Sequence, residues 1–513
     1  MEFKLPDYNL WLMLPELFLF VWALLVFTFD LVTKRKKESA VGYSALLGLL
    51  LTGLILALVW TGVLVPGKAN GYGSGFGNMF YNDAMALFFK IIFLGAAFMA
   101  IGSSFGITRQ KIVNHRGEFY GLILLSTVGM MFLSSSNELL SLYIGLELTT
   151  IPLFVLAAFF KDNKLSVEAG MKYFVIGAFS SALLLYGLSF LYGLSGTTEI
   201  VQMKINLGLV HATIRDIGVI LIMGVVMMVA GIGFKLALPP FHQWAPDVYE
   251  GSPTPIAAFL SVGSKAAGLV AFAKIFVNGL IVFYDPLQAP NDWGTLVGVI
   301  AVLAMVIGNV VAIRQSNIKR MLAYSSIAQA GYIMIGMVSL NEHGLASVGY
   351  YIFAYMFANM GAFAAVAIFE DKTGSCQIES YRGLAKSSPF LSVTLAVFLL
   401  SLAGIPPLAG FLAKYKVFAA AISMATADAD YSWLYWLVGV GLLTAVFSLF
   451  YYANVIKQMF FSTEDSPYKI KFALPSLVVL LMGLVGVFWF GIFPEPVLDL
   501  ASDISAAFGF LPR

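Results

Sequence analysis

The sequence predicts an all-α integral membrane protein with about 14 transmembrane helices. Of its 513 residues, 60% are hydrophobic and only 11% are charged, whereas soluble domains carry about 25% charged residues. Apolar runs long enough to cross the hydrocarbon core, about 20 residues as a helix, recur along the whole chain. Two proline pairs interrupt two of these runs. Together these observations exclude a water-soluble globule and predict a helical bundle with two broken helices.

The apolar segments define the predicted helices in chain order. They span residues 9–33, 41–65, 82–105, 118–136, 137–160, 171–194, 217–248, 255–283, 293–313, 320–340, 346–370, 390–424, 432–457 and 472–495. A glycine-rich stretch at 71–77 lies between the second and third segments, and we expect a flexible loop there rather than a nucleotide site.

Lys and Arg residues in the loops predict the orientation. Most of them follow odd-numbered segments, beginning with the run at 34–37. The opposite loops hold only Lys4, Lys68, Lys204, Arg215 and Arg513. Because basic loops stay on the cytoplasmic side, we expect a multi-pass protein of the inner (plasma) membrane with both termini outside.

The seventh and twelfth segments are too long for simple spans, and each contains a proline pair, Pro239–Pro240 and Pro406–Pro407. Proline removes a backbone donor and clashes with the preceding turn, so helices 7 and 12 should be broken. Such breaks are tolerated at membrane depth where the freed backbone is buried or lines a wet cavity.

The two breaks lie five helices apart, which predicts two five-helix repeats, helices 4–8 and 9–13. An odd number of spans in each repeat makes the two repeats inverted relative to each other. The predicted organisation is an N-terminal three-helix region at 1–117, repeats at 118–283 and 293–457, and a C-terminal helix and tail at 458–513.

Four ionisable residues fall near the middle of predicted spans: Glu147, Lys235, Lys265 and Lys414. A charge at the bilayer centre costs about 2.5–3.5 kcal/mol or more, so intramembrane charges usually mark function. Burial disfavours the charged form of lysine, which allows it to exchange a proton in the working pH range. A structural pair that pins helices together is the alternative reading. Lys90 and Lys274 lie nearer the helix ends, where a long stem can reach the interface.

The chain lacks the ligands for a redox centre of its own. Its single cysteine, Cys376, cannot hold an iron–sulfur cluster, which takes about four ligands. The histidines do not face one another within predicted spans, so a bis-histidine haem site is not expected, and neither is a metal site. We expect no cofactor in this chain and no nucleic-acid partner.

Several long motifs resemble those of the antiporter-like membrane subunits of respiratory complex I. SLYIGLELTTIPLFVL (141–156) resembles the helix-5 motif and places Glu147 on the family's glutamate. GFKLALPPFHQWAPDVYEGSPTP (233–255) is similar to the helix-7 break and places Lys235 on the family's lysine. FLSVGSKAAGL (259–269) and AGIPPLAGFLAKYKVF (403–418) align Lys265 and Lys414 in the same way. The PDVYEG form and the lysine at 414 favour the N-type subunit.

The resemblance implies a proton-translocating subunit driven by quinone reduction with NADH elsewhere. Glu147 and Lys235 would form a switching pair, Lys265 the central carrier and Lys414 the outward site, with His242, Gln329 and Lys416 as candidates for a polar path. NADH, flavin, iron–sulfur clusters and quinone would belong to partner subunits. The expected neighbours are M-type and small K-, J- and A-type membrane subunits, and the lipid bilayer.

One motif departs from the family. RMLAYSSIAQAGY (320–332) has Gln329 where many relatives carry histidine, and glutamine cannot titrate. Three other functions stay open: a subunit of an Mrp-type cation/proton antiporter, a membrane subunit of a ferredoxin- or hydrogenase-linked relative of complex I, and an enzyme with its own membrane redox site.

Overall fold

Helices make up nearly all of the regular structure in the computed structural model of this chain. The structure describes residues 8–32, 39–64, 71–106, 112, 115–213, 218–284, 292–462 and 468–508. Several residues that carry the orientation prediction lie outside these ranges: Lys4, residues 34–37, Lys68, Arg109, Lys111, Arg215 and Arg513. The side chain of His211 is likewise outside the described part.

Every predicted span is helical. Within the described ranges, 13 helices are long and apolar enough to cross a membrane, and the remaining predicted span, helix 12, is divided in two. Helices 1–7 are Leu14–Val32, Ala40–Trp60, Ala84–Ser103, Arg116–Ser135, Leu139–Ala157, Lys164–Ser195 and the broken pair Gly218–Leu236 (7a) and Trp244–Gly251 (7b). Helices 8–14 are Thr254–Gly279, Trp293–Ala312, Ile318–Val338, Glu342–Thr373, the broken pair Pro389–Ala403 (12a) and Ala409–Ala427 (12b), Leu434–Phe461 and Leu474–Ile492.

Both proline pairs interrupt their helices, as predicted. Helix 7a ends three residues before Pro239, and helix 12a ends at Ala403, before Pro406. Left-handed backbone at Ala237 (φ 54°) and Gly404 (φ 90°) turns the chain out of each helix. The carbonyls released by the breaks find side-chain donors, because a buried backbone acceptor is costly to leave unpaired.

Helix 8 contains two wide π-helical turns, Leu260–Ser264 and Ala273–Gly279, on either side of an α-helical stretch that begins at Lys265. The whole helix is buried inside the protein. π-turns are rare and are frequently found at functional sites. Nothing in the amphipathic pattern predicts them, since the helix is apolar all round.

Several short elements flank the long helices. The glycine-rich stretch is an antiparallel hairpin, Gly73–Gly75 paired with Phe80–Asn82, so the prediction of a plain flexible loop is wrong. A 3₁₀ turn, Leu10–Met13, precedes helix 1. A short helix, Ile200–Thr213, follows helix 6, and another, Glu495–Ala507, follows helix 14 and packs against helices 3 and 11.

Burial separates a central group of helices from an outer group. Helices 8, 10 and 11 are almost entirely enclosed, whereas helices 1, 6 and 13 expose most of their apolar surface. A helix that is apolar all round and exposed on one side suits contact with lipid or with a neighbouring membrane subunit.

Helices 6 and 11 match as corresponding members of two repeats should. Each is 32 residues long. Each ends on a glycine with φ 70°, Gly196 or Gly374, whose N–H donates back to the last turn at 2.7 Å.

The same pair of backbone hydrogen bonds follows each of these helices. They connect the chain after helix 6 or 11 to the loop that joins the first two helices of that repeat. The pairs are Leu139 N to Thr198 O (2.9 Å) with Ile200 N to Asn137 O (3.2 Å), and Ile318 N to Cys376 O (2.9 Å) with Ile378 N to Ser316 O (2.8 Å). Five spans separate the two loops along the chain, so they lie at opposite ends of the bundle. This arrangement is consistent with two inverted repeats.

Candidate functional site

Glu147 lies in the middle of helix 5, where it is half-buried. Its carboxylate accepts a short hydrogen bond from Ser181 on helix 6. The Ser181 hydroxyl also lies 3.1 Å from Tyr143 Oη, one turn before Glu147. The carboxylate is therefore held between helices 5 and 6 by a hydroxyl pair.

Lys235 lies at the end of helix 7a, beside the first break, and is buried. Its ammonium donates a short hydrogen bond to Thr150 Oγ1 on helix 5, one turn after Glu147. No ion pair joins Glu147 to Lys235 among the described residues, so the direct pair expected from the sequence is not formed in this structure. Glu147 still acts on Lys235 electrostatically across that turn.

Lys265 begins the α-helical stretch between the two wide turns of helix 8, and only 1% of it is exposed. Its Nζ donates to the hydroxyl of Ser326 on helix 10 at 2.6 Å and, in a short contact, to the Ser326 carbonyl. Gly268, one turn further along helix 8, packs against Lys235 and Leu236. Lys265 therefore lies between the first break and the second repeat.

Lys414 lies on helix 12b, facing the end of helix 12a. Its Nζ donates to Ala403 O, one of the carbonyls released by the break, at 2.9 Å. The same nitrogen lies 4.9 Å from the ring centroid of Tyr332 on helix 10, within range of a cation–π interaction. The second break thus presents a carbonyl and an aromatic face to one buried lysine.

Gln329 lies near the partners of both Lys265 and Lys414. It lies one turn after Ser326 on helix 10 and donates from Nε2 to Leu402 O at 3.0 Å, the carbonyl next to Ala403. Its Oε1 accepts a short hydrogen bond from Tyr351 on helix 11. A cavity of about 10 Å³ beside Gln329 and Tyr351 has room for about one water. Within the described ranges this glutamine hydrogen-bonds to neither lysine, but it lies beside the residues that bind both of them.

The other two candidates for the polar path have few contacts. Lys416 is half-buried on a different side of helix 12b and makes no hydrogen bond or ion pair to the part of the chain that the structure describes. His242 follows the first break and is half-buried, and its Nδ1 has no hydrogen-bond partner within the described ranges. Neither residue is joined to the four central side chains in this structure.

Lys90 and Lys274 are buried, so the prediction that they extend to the membrane interface is wrong. Lys90 forms an ion pair with Glu16 at 2.6 Å, and both side chains are 0% exposed. Lys274 donates to the carbonyl of Ser136 at 2.7 Å. The position of Lys90 and Lys274 along their own helices could be counted in the sequence. The neighbouring helices that enclose the two side chains could not be inferred from it.

A charged cluster joins the two repeats where helices 7b and 10 meet. Arg320 Nη1 contacts Asp247 at 2.7 Å and Glu250 at 2.8 Å, and Lys172 contacts the other Asp247 oxygen at 2.5 Å. Asp247 lies outside the candidate membrane spans. Partial burial favours its neutral form, but hydrogen bonds from Lys172 and Arg320 outweigh burial and lower the pKa of Asp247.

Sequence reasoning missed the partners of the charged residues: Thr150, Ser181, Ser326, Tyr332 and Tyr351. Hydroxyl residues are common in membrane helices, where they also satisfy the backbone of their own helix. Their spacing from the charges on other helices is not visible in one sequence.

The transmembrane family described as NADH:quinone oxidoreductase/Mrp antiporter matches residues 136–448, which contain Glu147 and all three central lysines. The chain belongs to this family. It is 40% identical to NADH-quinone oxidoreductase subunit N of Desulforamulus reducens, over 98% of this chain and 99% of that protein.

A second sequence relative and a solved structure are also similar to this chain over most of its length. F(420)H(2) dehydrogenase subunit N of Methanosarcina mazei is 38% identical over 95% of this chain and 96% of its own length. A chain of respiratory complex I from Thermus thermophilus superposes with a TM-score of 0.75 at 29% identity, covering 95% of this chain and 99% of that one. The resemblance therefore extends over nearly the whole chain.

Proposed function

We propose that this chain is the N-type membrane-arm subunit of an NADH:quinone oxidoreductase and that it translocates protons. One observation supports the proposal most strongly. Three buried lysines, Lys235, Lys265 and Lys414, lie in both halves of the protein, and among the described residues each hydrogen-bonds only to neutral oxygens. An ammonium without a fixed counter-ion in a dry site is costly, so its proton can be withdrawn.

The proposed mechanism moves protons through two half-channels that meet at Lys265. A change in the charge of Glu147 alters the proton affinity of Lys235, which in turn acts on Lys265. Lys265 passes its proton through Ser326 and Gln329 towards Lys414, which releases it outside. Moving one charge against 100 mV requires about 2.3 kcal/mol, a scale that separating charges in a poorly solvated site can supply.

The same proposal assigns the chemistry of the whole assembly to other chains. NADH oxidation, flavin, iron–sulfur clusters and quinone belong to partner subunits, and M-type and small K-, J- and A-type subunits are the proposed neighbours in the membrane. The chain lies in the inner (plasma) membrane with both termini outside, in keeping with the basic loops on the opposite side.

A second candidate differs in the electron donor of the assembly and leaves the role of this chain unchanged. The relative from Methanosarcina mazei is named for F(420)H(2) dehydrogenase, and its match covers as much of the chain as the complex I relatives. Purification of the native assembly separates the candidates, since an NADH-binding flavoprotein subunit co-purifies only in the first.

Lys265 provides the decisive test of proton translocation. In inverted membrane vesicles, Lys265→Met should abolish the protons moved through this subunit while NADH turnover with an artificial acceptor continues. Lys265→Arg keeps the positive charge but cannot release a proton, so it should fail nearly as completely. Lys161→Met, at an exposed loop position, is the control and should match the parent. An arginine variant that pumps normally would reduce Lys265 to a fixed charge and overturn the carrier role.

A further inference from the structure

We propose that Lys274, together with the Glu16–Lys90 ion pair, forms a second protonation site near the outer end of helix 8. The site is a second outlet beside the route through Lys414: it receives protons from Lys265 and releases them towards the outer face. The inference rests on the proposed function, because it needs Lys265 to carry protons. It extends that function to residues of helices 1, 3 and 4, which lie outside the line from Glu147 to Lys414.

The contacts of Lys274 suit a group that gains and loses a proton. Its side chain is 4% exposed, and its Nζ donates to the carbonyl of Ser136 at the end of helix 4. Within the described ranges it meets no carboxylate. A carbonyl accepts from an ammonium and, more weakly, from a neutral amine, so this hydrogen bond can form in both protonation states.

The Glu16–Lys90 pair is held next to Lys274 by one asparagine. Lys90 Nζ lies 2.6 Å from a Glu16 oxygen and 2.6 Å from Asn82 Oδ1. Asn82 Oδ1 also accepts from the hydroxyl of Ser135 at 2.8 Å, and Ser135 immediately precedes the residue that holds Lys274. The cluster therefore joins helices 1, 3, 4 and 8 through polar contacts.

The charges in the cluster do not cancel. Glu16 and Lys90 neutralise each other, which leaves the charge of Lys274 without a direct counter-ion in a site closed to water. The half-buried Asp83 follows Asn82 directly, at the start of helix 3. An uncompensated buried charge is unstable, so Lys274 is the member of the cluster that yields its proton most easily.

Lys274 and Lys265 each lie in or next to a π-helical turn of helix 8. Lys274 lies in the second wide turn of helix 8, and Lys265 directly follows the first. The two lysines are nine residues apart, about 13 Å at 1.5 Å per residue. Two rare π-turns on one buried helix, each beside a buried lysine, favour a shared role in proton transfer.

The proposed step conserves protons. Protonated Lys265 gives one proton to neutral Lys274, which leaves neutral Lys265 and protonated Lys274. Lys274 then releases that proton to water near Asp83, and Lys265 is reloaded from the cytoplasmic side.

Two substitutions at one position separate a titrating role from a structural one. Lys274→Gln retains an N–H donor for the Ser136 carbonyl but cannot carry a proton, and Lys274→Met removes both. We expect each to lose part of the protons per electron pair that Lys265→Met loses, since the remainder still leaves through Lys414. The ratio is measured on assembled complex in proteoliposomes with simultaneous NADH:quinone turnover. Lys204→Met, on the short helix after helix 6, is the control on the same side and should keep the parent ratio.

The outcomes distinguish this inference from the function on which it rests. If Lys265→Met loses protons and either Lys274 variant keeps the parent ratio in assembled complex, the second protonation site is wrong and the proposed function stands. If Lys265→Met itself keeps the parent ratio, the proposed function falls first. A Gln variant that pumps like the parent would reduce Lys274 to a hydrogen-bond donor.

Discussion

Lys235, Lys265 and Lys414 each donate to uncharged oxygen atoms. The kind of hydrogen-bond acceptor determines how firmly each lysine holds its proton. A carboxylate at hydrogen-bond distance would fix the charge, as Glu16 does for Lys90. A hydroxyl or a carbonyl stabilises the ammonium only partly, which keeps the neutral form accessible. The residues that matter most for transfer are therefore those with the weakest charge compensation.

Lys414 and Lys416 provide a matched test of this view, since they lie two residues apart on helix 12b. Lys414→Met should clearly lower proton release through this subunit, because it removes the buried amine at the second break. Lys416→Met should leave pumping near the parent level, since Lys416 contacts no described partner. Proton translocation by inverted vesicles measures both. Equal losses in the two variants would show that net charge on helix 12b matters rather than the contact with Ala403.

The positions of Glu147, Lys235, Lys265 and Lys414 along their helices could be predicted from sequence, because residues can be counted from the start of each apolar run. Their partners could not. Thr150 intervenes where a direct Glu147–Lys235 pair was expected, and the enclosure of Lys90 and Lys274 depends on how other helices pack. One sequence reports where a residue lies along its own helix and little about what faces it.

Among the features of the secondary structure, the breaks in helices 7 and 12 are the ones that the sequence predicts most directly. The reason is that proline disrupts a helix through its own local geometry. The wide turns of helix 8 were not predictable, because their cause lies in packing rather than in a residue type. The short helices that follow helices 6 and 14 were missed for a related reason. Each owes its stability to the surface on which it packs, and the apolar runs that reveal membrane spans are absent there.

Substitution of Gly404 tests whether the backbone conformation at the second break contributes to stability and to the position of Lys414. Its φ of 90° favours glycine, and an added Cβ would lie 3.1 Å from Cδ of Lys414. Gly404→Ala should destabilise the protein by about 1–3 kcal/mol through backbone strain and should also lower proton translocation by displacing Lys414. Thermal unfolding in detergent and vesicle pumping are the measurements.

The control for Gly404→Ala is Gly439→Ala on helix 13, where an added Cβ meets nothing within 4 Å. Alanine there should be neutral or stabilising by about 0.5–1 kcal/mol, as in any helix interior. If the two variants unfold at the same temperature, the strained turn contributes nothing to stability.

Among the contacts that join the predicted repeats, two involve the charged side chains described above. At mid-depth, Lys265 of the first repeat donates to Ser326 of the second. At the start of helix 10, Arg320 contacts Asp247 and Glu250 of helix 7b, which lie outside the candidate membrane spans. The domain boundaries stay predictions, but the matching loops and the equal lengths of helices 6 and 11 support them. A change at either connection reaches both halves, which suits a protein that must coordinate two half-channels.

The charged connection between the repeats should make stability depend on pH in a defined direction. The pKa of Asp247 is lowered in the folded protein by Lys172 and Arg320, despite partial burial. A carboxylate with a lowered pKa stabilises the fold above its unfolded pKa of about 3.9, and this contribution is lost as the pH falls through the folded pKa. At pH near 7, Asp247→Asn should therefore cost about 1–2 kcal/mol, after allowance for partial exposure.

Below about pH 4 the parent loses the same interaction, so the difference in Tm between parent and Asp247→Asn should shrink. Thermal unfolding in detergent over a pH series measures that difference directly. Asp162→Asn, in the exposed loop between helices 5 and 6, is the matched control and should show a small difference at every pH. A difference for Asp247→Asn that stays constant into the acid range would mean that hydrogen bonding rather than charge joins the repeats. The contact between helices 7b and 10 would then be purely structural. A change in the charge of helix 7b would not affect the second repeat through Arg320.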